Sequence, residues 1–222
     1  MTWPRISARD FGTLLMALRV VGRTVGLRSL GTASRRALPS IQHIRRAAPA
    51  ELEDARIDLA RALDLMPAFN ESTEPRRGEL LRLLATTNIR LGDYLAAEEI
   101  LEDARDIEDR HLAMKGPLPD GGAARVETEF LLGVCYQKTG REEQAKTMFG
   151  AVLKEDDGHW RARFHTALLF LDEGEFDEAE DLLVSVLEDE PAHETAGQLL
   201  SKLRERKLAA ANKLEVPLDG DK

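Results

Sequence analysis

Cysteine is nearly absent from this chain of 222 residues, where Cys135 stands alone. A single thiol can form neither an internal disulfide nor a cysteine-based zinc site, which excludes the stapled scaffolds of secreted proteins and makes a reducing compartment the default. Aromatic residues reach only 5%, thin for a sheet core, where aromatic and β-branched side chains concentrate, so helix is the expected class. Long apolar runs are missing too. The best, residues 11–27, is broken by Arg19 and Arg23 and falls short of the roughly 20 apolar residues that a spanning helix needs. The same two charges interrupt the core of any secretory signal, and no clean small-x-small cleavage site follows before the next Arg cluster.

The chemistry-bearing patterns are equally scarce. Five histidines, His43, His111, His159, His165 and His193, include no His-Glu-x-x-His pair, and His159 and His165, six apart, lie on different helical faces. No glycine-rich loop ends in Gly-Lys-Ser or Gly-Lys-Thr, and Gly121-Gly122 has no preceding strand of the kind a phosphate cradle requires. Acidic pairs such as Glu178 with Glu180, or Asp156 with Asp157, read as solvated helix faces and caps rather than acid-base pairs. Cys135, beside Tyr136, reads as a small packed side chain. The expectation is a chain with no catalytic residue, metal, cofactor or small-molecule substrate, and not an enzyme.

Charge is unevenly missing. Residues 1–48 lack lysine and hold nine arginines against one acid, Asp10, for a net +8, which leaves −17 on the remainder of a chain whose total is −9. An acidic body repels nucleic acid, so none is expected as a partner, and only the arm has phosphate contacts to offer. Within the arm, residues 9–30 cluster Phe11, Leu14, Leu15, Leu18, Val21 and Val25, with Arg19 and Arg23 to one side. Four readings of this crude amphipathic helix stay open: an interfacial membrane anchor, a helix docked on the protein or on its copy, an organellar transit segment, or a nucleic-acid contact. The expected location is cytoplasmic. Contact with a membrane surface through residues 1–48, or import into an organelle, is left to the arm.

What the chain does have is a period. Gly174-Glu175-Phe176-Asp177-Glu178-Ala179 is echoed by Gly140-Arg141-Glu142-Glu143-Gln144-Ala145 and by Gly92-Asp93-Tyr94-Leu95-Ala96-Ala97, with Ala179 at i+34 from Ala145. Each glycine separates two segments of helical periodicity, as a turn between helices would. In the last unit Phe164, Ala167, Leu168, Phe170 and Leu171 precede the turn, and Phe176, Ala179, Leu182, Leu183 and Val186 follow it, at the spacing of two amphipathic helices. Helices joined so tightly pack antiparallel, with Ala167 and Ala179 where the backbones approach.

Several matches in one register make the chain resemble the tetratricopeptide repeat, a helix-turn-helix unit of about 34 residues. The middle unit gives Leu132-Gly133-x-x-Tyr136, Gly140, Ala145 and Phe149; the last gives Ala167, Phe170, Gly174, Phe176, Ala179, Leu183 and Pro191; the earlier one gives Leu84-Ala85, Gly92, Tyr94, Ala97, Leu101 and Ala104. Residues 54–67 look like the second helix of a partial copy, ending in Pro67. The family's early Trp is replaced by Leu81, Glu129 and Arg163, its Tyr by Asn88 in the first full unit, and its terminal Pro by Asp109 and Asp157.

The resemblance implies an all-α fold, a right-handed α-solenoid of stacked antiparallel helix pairs. The expected plan is a basic arm at 1–48, repeats over 49–193 (49–67 partial, then 78–111, 126–159 and 160–193), a capping helix at 194–213 and a disordered tail at 214–222. The interval from Ala97 to Ala145 is longer than that from Ala145 to Ala179, and the excess predicts a lengthened helix that stops at Gly116 and a loop after it.

The family's ligand-facing positions fall here on Glu79, Arg82, Thr86, Ile89 and Arg90; on Glu127, Phe130, Val134, Gln137 and Lys138; and on Arg161, Phe164, Leu168, Leu171 and Asp172. Phe130, Val134, Phe164 and Leu168 would form an apolar strip between charged rims. Family members that clamp the C-terminal carboxylate of chaperone tails use Lys and Asn where this chain has Arg82 with Thr86 and Phe130 with Val134, a departure that argues against such a ligand. The resemblance thus implies a scaffold or adaptor that holds a protein partner, as an apolar helix or an extended peptide with hydrophobic anchors. The alternative is a structural repeat protein tethered to a membrane or to itself through the arm.

Overall fold

The computed structural model describes residues 41–66, 74–118 and 120–214. The amphipathic segment at 9–30 and the tail from 215 onward lie outside the described residues. Among those described there are helices and no strand, and within each unit neighbouring helices pack against one another, as the all-α reading expects. It divides after Thr139 into an N-terminal and a C-terminal unit.

The N-terminal unit contains α1 (Ile41–Arg46), α2 (Pro49–Asp64), α3 (Glu74–Leu91), α4 (Tyr94–Lys115) and α5 (Ala123–Lys138). Pro49 opens α2, where a missing N–H costs nothing, and Glu51 reaches back 3.0 Å to accept from the Ala48 N–H. Asp93 caps α4 by accepting from the Ala96 N–H at 3.3 Å. Gly92 turns the chain between α3 and α4 at φ +84°, a conformation that strains any residue with a Cβ. Helices α2, α3, α4 and α5 pack in chain order, and α3 also touches α1 and α5. Leu52, Leu59, Leu63, Leu80, Leu84 and Ile107 join one buried cluster, and Ala97, Leu101 and Ala104 have no exposed surface. The lengthened helix and its stop are found: α4 runs to Lys115, and Gly116 follows at φ +87°.

The C-terminal unit contains α6 (Glu142–Glu155), α7 (Trp160–Glu173), α8 (Phe176–Asp189) and α9 (Glu194–Leu214), each packed on the next. Ala145, Ala167 and Ala179 are completely buried, as expected of small residues where helices cross. Helix α9 covers the end of this unit: Ala196, Leu200 and Leu203 are buried with Leu183 and Val186. Its polar side is tied to α8 by Arg204 to Glu180 at 2.7 Å, by Lys207 to Glu180 at 2.7 Å and by Lys207 to Asp177. Leu208 is 64% exposed, because inward-facing positions of a straight helix recur at three and four residues and 208 falls five beyond Leu203.

Two further details amend the sequence reading. Residues 41–48, assigned to the arm, belong to the folded N-terminal unit, since Ile44 is fully buried and Ala47 nearly so. Both lie in its main cluster.

The second amendment concerns His159 and His193, separated by the same interval as Ala145 and Ala179, which cap successive first helices. The Nδ1 of each accepts from the backbone N–H three residues on, Ala162 and Ala196, at 3.1 Å. A side-chain acceptor at this position satisfies one of the orphan donors of the helix start. His193→Ala is expected to cost about 1 kcal/mol, whereas His193→Asn, which keeps an acceptor, retains most of it; urea midpoints of the two variants check this.

Candidate functional site

In the N-terminal unit several of the residues predicted to face a ligand are engaged by the chain itself. Arg82, on α3, donates from Nη1 to Glu108 Oε1 on α4 at 2.7 Å, and the Thr128 hydroxyl on α5 donates to the same oxygen at 2.9 Å. Three helices are joined through one buried carboxylate, whose side chain is 4% exposed against 16% for Arg82. Burial pushes the Glu108 carboxyl above its ordinary range; the Thr128 hydroxyl, Arg82 and Arg125 pull it back and Asp120 adds to the rise. Glu79, half-buried one turn earlier on α3, is raised by burial as well, against the pull of Arg82 and Arg76.

Farther along α3, the Thr86 hydroxyl donates to the Arg82 carbonyl at 2.8 Å and is buried. Ile89 is half-buried and Arg90 exposed along its shaft, yet the Arg90 guanidinium is occupied. It donates to the Ile44 carbonyl at 2.6 Å and to the Ala47 carbonyl at 3.2 Å, holding the end of α1 against α3. On α5, Phe130 is 4% and Val134 8% exposed, while Glu127 and Gln137 are half-buried and Lys138 is exposed. The apolar strip expected to be open at Phe130 and Val134 is therefore closed there. A position number carried over from a family assigns a face, but it does not say what else of the chain lies on that face.

In the C-terminal unit the corresponding residues of α7 keep part of their surface. Arg161, Phe164, Leu168 and Leu171 are half-buried and Asp172 is exposed. Phe164 and Leu171 rest on the buried cluster of this unit. The Phe164 ring lies 4.7 Å from the His193 imidazole, which also takes the edge of Trp160 at 5.3 Å. The imidazole that caps α9 thus also packs against Phe164, one of the residues predicted to face a ligand. The pairing of His159 with His193 was recoverable from their separation by one repeat length, and both follow a short turn, Asp157-Gly158 and Pro191-Ala192. The Arg82–Glu108–Thr128 bridge left no such trace, because its members belong to helices of unequal length.

No three or more His, Cys, Asp or Glu residues among those described are grouped to hold a metal ion, and no described helix is long and apolar enough to cross a membrane. Cys135 is buried. Residues 138–203, from the last residue of α5 into α9, match the family model of the tetratricopeptide repeat. Repeats of this kind generally hold other proteins rather than catalyse a reaction. No curated protein matches the chain.

Proposed function

We propose that this protein is an interaction scaffold that holds a protein partner on the first helices of its repeats, with the α7 face of the C-terminal unit as the accessible docking row. The observation that carries this reading is the partial exposure of Phe164, Leu168 and Leu171 beside Arg161 and Asp172 in the segment matched by the repeat model. Side chains of this kind, spaced at three and four residues on one helix, offer apolar anchors to an amphipathic helix or an extended peptide. Apolar area withdrawn from water is worth roughly 25 cal/mol per Å² before association costs are subtracted. Charged residues at both ends would orient the guest.

Arg161→Glu with Leu168→Glu tests the assignment, because both side chains are half-buried and a change there need not open the core. Affinity purification from the native cell is expected to recover, with the unaltered chain, proteins depleted at least tenfold with the variant, while the helical spectrum and thermal midpoint stay close to those of the parent. Equal recovery by a folded variant would refute the row.

A further inference from the structure

The row on α7 has a neighbour in α9. The His193 imidazole, which caps α9, lies 4.7 Å from the Phe164 ring and 5.3 Å from that of Trp160, both near the start of α7, so the two helices begin side by side. Along α9, Leu199, Lys202 and Arg206 follow at intervals of three and four, the spacing of one helix face. Leu199 is half-buried and packs on the same cluster as Phe164 and Leu171, while Lys202 and Arg206 are exposed. The apolar row is thereby given a basic edge.

That edge departs from the charge of the unit around it. Residues 140–214 hold ten lysines and arginines against seventeen acids, yet residues 202–213 hold five of the ten and a single acid, Glu205. Arg204 and Lys207, on the α8 side of α9, are paired with Glu180, and Lys207 with Asp177 as well. Lys202 pairs with no acid among the described residues. Arg206 lies over the Phe176 ring at 5.4 Å, a contact that neutralises no charge. Two cations one turn apart, beside half-buried apolar side chains, are matched by carboxylates one turn apart on a guest whose adjoining face is apolar.

From this juxtaposition, we propose that the guest of the C-terminal unit is an amphipathic helix with acids along one edge of its apolar face. Its apolar anchors rest on Phe164, Leu168 and Leu171, and two of its carboxylates meet Lys202 and Arg206. The inference rests on the reading of α7 as a docking row and adds the chemistry of the partner. A nucleic acid or an anionic membrane spreads its charge over a surface that the seventeen acids would repel. A helix confines its acids to one edge, and beyond about 8 Å the remaining repulsion is screened at physiological salt.

The test presents the full chain to a displayed library of 18-residue peptides, with leucine fixed at intervals of three and four and every other position random. As a helix such a peptide is about 27 Å long, enough to span the roughly 21 Å of the 14 residues of α7. Peptides retained by the parent and lost with Leu168→Glu are sequenced and resynthesised with a fluorescent label. They are expected to carry Asp or Glu one turn apart beside the leucine face, and to bind the parent at least tenfold more tightly than the double variant Lys202→Glu, Arg206→Glu. Exchanging their acids for lysine should restore binding to the double variant, which also shows that the variant is folded. Leucine-row peptides without an acidic edge, or with equal affinity for parent and double variant, would overturn the inference and leave the α7 row standing. If no retained peptide depends on Leu168, the row falls and the inference with it. Light scattering of the chain alone and co-sedimentation with phosphatidylserine vesicles cover the other occupants: a dimer dispersed by Lys202→Glu, or vesicle binding lost with it, would also overturn the proposal.

Discussion

Arg82→Met is expected to destabilise the N-terminal unit by about 3–5 kcal/mol, the usual cost of removing one member of a buried ion pair. The guanidinium lies 2.7 Å from a carboxylate whose residue is 4% exposed, and the other oxygen of that carboxylate, Oε2, is buried with no hydrogen-bond partner among the described residues. Without Arg82 the charge is held by the Thr128 hydroxyl and the more distant Arg125. Arg82→Met combined with Glu108→Leu should recover most of the loss, since the desolvation penalty leaves together with the pair. Thr128 is not orphaned by the second change, because its hydroxyl also lies 3.0 Å from the Ala124 carbonyl.

The pH dependence gives this prediction a second signature. Burial raises the Glu108 carboxyl in the folded protein, so the folded state binds this proton more tightly than the unfolded chain. Its contribution to stability is fully present below the unfolded pKa and is lost as pH rises through the folded one. Removing Arg82 takes away a charge that lowers the folded value, so the window widens upward and the fall across it deepens. The deficit of Arg82→Met relative to the parent should therefore be large at pH 7.5 and substantially smaller near pH 4. Urea midpoints of parent, single and double variants at the two pH values measure it, and a deficit that does not change with pH would show that Glu108 is not the group left exposed to the loss.

The parts of the fold that were legible in the sequence are those that depend on short-range stereochemistry. Gly92, Gly140 and Gly174 all sit at positive φ, between +74° and +85°, and Ala97, Ala145 and Ala179 are all without exposed surface. A turn of fixed backbone sign and a crossing of fixed closeness admit few residue types, so both mark the sequence. What was not legible depends on elements whose partners are far along the chain. Helix α1 is only six residues long and carries too little periodicity to announce itself, and what places it is the Arg90 guanidinium, which arrives only at the end of α3. Arg82 carries a ligand-facing number, but its long side chain turns to the extension of α4, and the extension is itself a departure from the family's spacing. The candidate site was accordingly legible as three rows of residues, on α3, α5 and α7, but not which of them the chain itself engages and which keeps part of its surface.

The second large effect is expected at Phe149, where replacement by alanine should cost the C-terminal unit about 3–5 kcal/mol. Phe149 lies on α6, has no exposed surface and stacks on the His165 imidazole of α7 with ring centroids 5.4 Å apart. It occupies the same place in its repeat as Leu101 and Leu183, and all three are fully buried, so the position is one that each repeat fills with a large apolar side chain. Truncation removes the transfer free energy of the ring and leaves a cavity that rigid neighbouring helices fill only in part. In a repeat array each helix pair depends on its nearest neighbours, so little else compensates. For a unit of this size the loss corresponds to a fall in thermal midpoint on the order of 15 °C or more. Hydrogen exchange read by mass spectrometry should show protection lost across α6 to α9, the stretch that also presents Arg161, Phe164 and Leu168. A cost below about 1 kcal/mol would mean that the ring is not sealed between α6 and α7, since a surface substitution of this kind is usually worth about 0.5 kcal/mol or less.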